Sequence, residues 1–187
     1  MPITIKNVTL SYPSLFKPTA FDGNMDQAKY STDIIIKKGS GEESQIQAEY
    51  DAVAKKALDE KKLTKSQLTP FIRPIGSTKG ILIDCDADPD RYPPEIYEGC
   101  YILRAKSKTK PAVVDTRNGA ISEDDNAIYG GVIANVNINL YAYNKIGTGI
   151  AVGLNGVQKV AGGEPLGGGR PSVGQMFGEP EDDDMFN

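Results

Sequence analysis

Gly131-Val-Ile-Ala-Asn-Val-Asn-Ile-Asn-Leu-Tyr-Ala-Tyr143 carries the clearest periodic pattern in the chain. Its apolar residues recur every second position: Val132, Ala134, Val136, Ile138, Leu140 and Ala142. Asn135, Asn137, Asn139, Tyr141 and Tyr143 occupy the other parity. A period of two is the signature of a strand with one buried face and one wet face. Asn144-Lys-Ile-Gly147 can then turn the chain into a further strand, about 148–160.

Working outward, more strands follow the same logic. Cys100-Tyr-Ile-Leu-Arg-Ala-Lys-Ser-Lys108 puts Tyr101, Leu103 and Ala105 on one face. Ile102, Arg104, Lys106 and Lys108 take the other. Residues 29–38 and 78–84 read as strands, and 112–115 as a short extension. At the start, Ile3 and Ile5 share one parity while Val8, Leu10 and Tyr12 share the other, so a bulge is expected near Lys6-Asn7. The same parity assigns Tyr12 to the core, and Pro13 and Pro18 are expected to bracket a loop holding Phe16 and Lys17.

One helix interrupts the strands. Ser40-Gly-Glu-Glu43 matches a capping box, and Ile46, Tyr50, Val53, Ala54, Ala57 and Leu58 follow at helical spacing. The helix is expected over 42–61, with a further helical turn near 65–68. Many strands with one inserted helix predict a mainly β fold: an OB-type five-stranded β-barrel, a fold that binds oligonucleotides on one strand face. The expected organisation is a body over residues 1–161 and a Gly-rich linker with an acidic C-terminal tail over 162–187.

Composition narrows the chemistry. The 187 residues suit one domain plus a tail. Histidine is absent, which removes Ser-His-Asp and Cys-His catalysis and every His-containing zinc site. Cys85 and Cys100 do not form a Cys-x-x-Cys pair and read as buried thiols in a reducing compartment. No apolar run approaches the roughly 18 residues that span a bilayer. Met1-Pro-Ile-Thr-Ile-Lys6 reads directly as strand, without a signal-peptide pattern, so a cytoplasmic location is expected.

Charge is unevenly placed. Net charge is −4, yet Glu179, Glu181, Asp182, Asp183 and Asp184 crowd the last nine residues. The rest of the chain carries 21 basic and 20 acidic groups. The terminal segment follows a glycine-rich stretch and cannot bury enough apolar surface to offset its ordering entropy, so disorder is expected. It can compete with phosphate for a basic groove, and it can offer Phe186 to a partner.

Arg104, Lys106 and Lys108 project from one face of one strand, and Lys110 extends the row over about 20 Å. That arrangement suits a phosphate track. Tyr141 and Tyr143 offer rings for base stacking, which contributes about 1–3 kcal/mol per base without reading sequence. Tyr12, Phe16 and Lys17 form a second aromatic–basic set near a loop, with core packing the expected fate of Tyr12. A solvated barrel face with ordinary lysines is the plainer reading of the same residues.

Asp84, Asp86, Asp88, Asp90 and Glu95 mimic the spacing of a calcium loop, but Pro89 stands where such a loop needs glycine. The alternative function is a magnesium-dependent nuclease or resolvase using the Asp84–Glu95 carboxylates. The next strand, however, reads Leu103-Arg-Ala-Lys106 and supplies no acidic-x-Lys triplet. The glycines at 162–169 lack a Walker lysine, so no nucleotide cofactor is expected. No catalytic residue and no metal site are assigned.

The chain resembles the bacteriophage single-stranded-DNA-binding proteins that have an OB fold and an acidic C-terminal tail. The resemblance spans nearly the whole chain. It is carried by Ser11-Tyr-Pro13 with Phe16 and Pro18, Lys29-Tyr-Ser31, the Ile34–Lys38 strand and Tyr97-Glu-Gly-Cys-Tyr101. It is densest in Ala105-Lys-Ser-Lys-Thr-Lys-Pro111 with Val113-Val-Asp115. Tyr129-Gly-Gly131, Tyr141-Ala-Tyr143 and the segment Gly149–Lys159 complete it.

The resemblance implies sequence-independent binding of single-stranded DNA during phage replication and recombination, as a homodimer, in the cytoplasm of the infected bacterium. It implies a non-enzymatic protein whose tail residues Glu181, Asp182, Asp183, Asp184 and Phe186 recruit replication and recombination proteins. Related tails often finish on phenylalanine; here Asn187 follows Phe186.

Overall fold

The computed structural model describes residues 1–20 and 23–166. Among the described residues seven strands form one sheet: β1 (Ile3–Thr19), β2 (Lys29–Lys37), β3 (Leu82–Asp84), β4 (Cys100–Ser107), β5 (Ala112–Val114), β6 (Ile133–Tyr143) and β7 (Gly149–Ala161). β1 pairs antiparallel with β2 and β6, β2 with β4, and β6 with β7. A parallel contact at Lys106 and Gly153 joins β4 to β7 and closes a five-stranded OB-type barrel. The short strands flank that seam, β3 on β4 and β5 on β7. The seam itself is a single residue pair, and β3 and β5 extend the cover on either side of it.

The expected alternation in β6 holds. Ala134, Val136, Ile138 and Leu140 are buried, and the intervening residues from Ile133 to Asn139 are half-buried. They meet Ile5, Leu10, Ile34 and Leu103 in one core. The amides of the outer face are mutually engaged. Asn135 Nδ2 donates to Gln158 Oε1 at 2.9 Å, and Asn137 Nδ2 donates to Thr4 Oγ1 at 2.9 Å.

α1 (Gly41–Asp59) covers the barrel over β1, β2 and β6, burying Ile46, Ala54 and Ala57. Ser40 Oγ accepts from Glu43 N at 3.3 Å. Glu43 reaches back to the Gly39 amide at 2.6 Å, one residue before the position a capping box would use. The helical turn expected near 65–68 is a single 3-10 turn over Lys65–Gln67.

The bulge in β1 lies where the parity changes. Asn7 is left-handed (φ 53°), and the pairing with β6 slips between Ile5 and Val8. Other details differ from expectation. Pro13 and Pro18 sit inside β1, which runs on to Thr19 through two slips against β2. Proline is tolerated in a strand at such irregularities. The strand expected over 78–84 shortens to β3. Residues 86–99, between β3 and β4, contain one helical turn, α2 (Pro94–Tyr97).

That β3–β4 connection builds its own small core from Cys85, Tyr92, Tyr97, Cys100 and Ile102. It covers the first half of the outer face of β4. Arg104 and Lys106 lie beyond it on the same strand.

Candidate nucleic-acid interface

An open groove of about 870 Å³ runs over β1, β2 and β4 beside the β3–β4 connection. Its polar lining follows from strand periodicity. Lys29, Ser31 and Asp33 share one parity of β2, and Arg104 and Lys106 share one parity of β4. The antiparallel register sets Asp33 opposite Arg104 and Ser31 opposite Lys106. Tyr12 enters from β1, and Arg91 and Tyr92 enter from the connection. Among the described residues, four cations and one carboxylate line the groove, a net positive lining.

Arg104 grips Asp33 through two parallel bonds, Nε–Oδ1 at 2.7 Å and an Nη–Oδ2 bond at 3.0 Å. Those hydrogen bonds raise the guanidinium pKa above its ordinary value. Lys106 is shifted the other way. Desolvation, then the charges of Arg104 and Lys29, hold its ammonium below the usual lysine range. Such a cation is relieved by an arriving anion. Tyr92 is 5 % exposed; its hydroxyl lies near the Arg104 guanidinium without a well-formed hydrogen bond.

Tyr12 is 76 % exposed, so the parity argument that assigned it to the core fails. Its backbone is left-handed (φ 46°), and the β1–β2 register slips between Ser11 and Ser14. This second bulge turns Ser11 inward and Tyr12 outward. Phe16 is half-buried and packs against the main core.

Of the residues singled out from sequence, Arg104 and Lys106 line the groove. Lys108 and Lys110 are exposed on the connection to β5, and Lys110 Nζ stands 5.9 Å from the Phe16 ring centroid. Lys17 pairs with Glu123 at 3.2 Å. Phe16 and Lys110 thus meet outside the groove lining, and Lys17 lies outside it as well. Tyr141 is 47 % exposed and Tyr143 half-buried near the far end of β6, also away from that lining. Glu181, Asp182, Asp183, Asp184 and Phe186, with the expected disorder of the tail, lie outside the described residues. Lys29, Arg91 and Tyr92 escaped the sequence reading. For Lys29 the signal was present in the alternation of Lys29, Ser31 and Asp33.

The carboxylates of the alternative nuclease reading hold the connection in place. Lys38 Nζ sits 2.6 Å from Asp84 and 2.7 Å from Asp86, and Asp86 also accepts from Gly99 N at 3.0 Å. Among the described residues no three His, Cys, Asp or Glu side chains gather to hold a metal. No described helix is long and apolar enough to cross a membrane.

After β7, residues 163–166 run back along Tyr129 and Gly130. Tyr129 Oη donates to Gly163 O at 2.8 Å and accepts from Gly163 N at 3.0 Å. Leu166 N donates to Gly130 O at 2.9 Å. A Cβ on Gly130 would lie 3.9 Å from Tyr12 N and 4.0 Å from Leu166 Cβ.

Fold and groove define a small β-barrel of the oligonucleotide-binding class. Residues 1–186 match the family described as Enterobacter phage Enc34, ssDNA-binding protein, and the chain belongs to that family. A solved structure described as the single-stranded DNA-binding protein from bacteriophage Enc34 in complex with ssDNA is similar. It is 26 % identical, covers 89 % of each chain and has a TM-score of 0.67. The protein p50 of Acyrthosiphon pisum secondary endosymbiont phage 1 is 29 % identical over 92 % of this chain and 91 % of its own. The single-stranded DNA binding protein gp2.5 of bacteriophage T7 shares the fold at 18 % identity, with 91 % of each chain covered and a TM-score of 0.54.

Proposed function

We propose that this protein binds single-stranded DNA, without reading its sequence, along the groove between β1, β2 and β4. The observation that carries the reading is the groove lining: Lys29, Arg91, Arg104 and Lys106 around one carboxylate, with the exposed ring of Tyr12 at the side. Cations neutralise phosphates, and a ring stacks on any base. Family membership and the similarity to a protein described in complex with ssDNA support it. Lys108, Lys110, Lys17 and Phe16 lie where a strand leaving the groove could continue.

The body, residues 1–161, does the binding in this reading, and the segment 162–187 regulates it. Leu166 and the Tyr12 backbone both neighbour Gly130, and the carboxylates from Glu179 to Asp184 follow Leu166 by thirteen residues and more in sequence. These carboxylates compete with phosphates for the same cations. Glu181, Asp182, Asp183, Asp184 and Phe186 then recruit proteins of replication and recombination in the infected bacterium, and the protein acts as a homodimer.

The test is fluorescence anisotropy of labelled oligo-dT across a salt series, with unlabelled duplex as competitor. Binding should weaken with a log–log slope near −3 if all four cations are engaged, at about −0.7 per phosphate. No binding at low salt would refute the reading.

A further inference from the structure

We propose that Tyr12 is a pre-positioned base-stacking platform of the groove, held outward by the Ser11–Tyr97 hydrogen bond; the proposal rests on the single-strand reading above. Three observations converge on it. Tyr12 is a large ring, 76 % exposed, on the wall of the cationic groove. Its backbone lies at φ 46°, a conformation that costs free energy for a bulky residue and persists only where its surroundings impose it. The surroundings do so. Ser11 Oγ and Tyr97 Oη share a buried hydrogen bond at 2.8 Å, which pins the neighbouring residue inward. On the other side Gly131 N donates to Leu10 O at 2.8 Å.

Packing does not explain the strain, because the ring covers little of the protein. A nucleobase does. The base lies against the Tyr12 ring while Lys106 and Arg91 take the flanking phosphates. Tyr97 acts as a positioning residue: it belongs to the small core under the β3–β4 connection and passes the rigidity of that core to the bulge. Pre-positioning the ring removes an ordering cost from binding.

The chain contains no tryptophan, so Tyr12→Trp installs a single indole at the site. Saturating oligo-dT should quench most of its emission. Tyr12→Ala should weaken binding roughly 5- to 150-fold, the range for one base stack, whereas Tyr12→Phe should bind as the parent does. Tyr12→Asn tests the strain, since asparagine accepts the left-handed region more readily. It should unfold at the same or a higher temperature while binding more weakly. In the Tyr12→Trp background, Tyr97→Phe should reduce the quench at saturation, because the ring is kept but no longer held.

Unquenched Tyr12→Trp emission in a protein that still binds labelled oligo-dT would overturn the platform and leave the single-strand reading standing. A lower unfolding temperature for Tyr12→Asn would overturn it too, since the ring would then serve packing. An undiminished quench in the Tyr97→Phe variant would remove Tyr97 from the proposal. Failure of the parent protein to bind oligo-dT would instead sink the underlying function.

Discussion

Asp33 and Arg104 face each other across the β2–β4 ladder and join in a two-point fork at 2.7 and 3.0 Å. The carboxylate side chain is 7 % exposed and the guanidinium 34 %. Arg104 is therefore both a groove cation and the partner that makes a buried carboxylate tolerable. Removing it should do more than lower DNA affinity. Arg104→Ala should destabilise the barrel by about 2–4 kcal/mol, below the full cost for a wholly buried pair because the arginine is partly wet. The double variant Asp33→Ala/Arg104→Ala should recover part of that loss. Urea denaturation of the three variants checks both statements.

In the proposed binding mode, Lys106 should link affinity to pH. Desolvation and the charges of Arg104 and Lys29 lower its pKa, so in the free protein it loses its proton earlier than an ordinary lysine as pH rises. A bound phosphate favours the charged form. Affinity should therefore begin to fall on the alkaline side below the usual lysine range, with proton uptake on binding. Fold stability moves the opposite way. The unfolded chain holds the proton more tightly, so this group adds stability as pH rises through its folded pKa. Lys106→Arg should flatten the affinity profile, because a guanidinium stays charged. Anisotropy titrations between neutral pH and about pH 10 would show it.

Gly131 and Gly163 pass at backbone contact near the root of the tail. Gly131 has φ 113°, and a Cβ there would collide with the Glu164 carbonyl; a Cβ on Gly163 would collide with Gly131 O. Gly131→Ala should lower stability by about 1–3 kcal/mol through strain. It should also displace residues 163–166 from Tyr129. Thermal unfolding and protease sensitivity around residues 160–166 report the two effects.

Deleting residues 179–187 should tighten oligo-dT binding, most strongly at low salt. Five carboxylates leave with that segment, and competition between charges is screened as salt rises. Equal affinity of the full and shortened chains at low salt would end the competition idea.

Both cysteines should resist alkylation in the folded protein. Cys85 is 1 % exposed, and burial pushes its thiol up to about 12; burial also raises Cys100. The thiolate is the reactive form. Iodoacetamide at pH 8 should label neither residue until urea unfolds the barrel, as mass spectrometry would read.

The barrel was legible because its signals are local. Val132 to Ala142 alternate, Ser40 and Glu43 mark the helix start, and Ile5 and Val8 bracket a parity change where the first bulge occurs. The groove was half legible. Arg104 and Lys106 share a strand face, and Lys29 shows the same period on β2. Arg91 and Tyr92 sit in an irregular connection with no period to read. Their approach to β4 depends on Lys38 binding Asp84 and Asp86, 46 and 48 residues away in the chain.

Tyr12 marks the boundary between the two kinds of knowledge. By itself the sequence determined a mainly β chain with one capped helix, a row of cations on one strand and an acidic end. These follow from periodicity and composition, which act over a few residues. Only the tertiary structure decided that Tyr12 faces the groove and Phe16 packs against the core. A bulge inverts side-chain direction. The bulge at Tyr12 is held by contacts from Tyr97 and Gly131 that are distant in sequence. Alternation along one strand carries no record of such contacts.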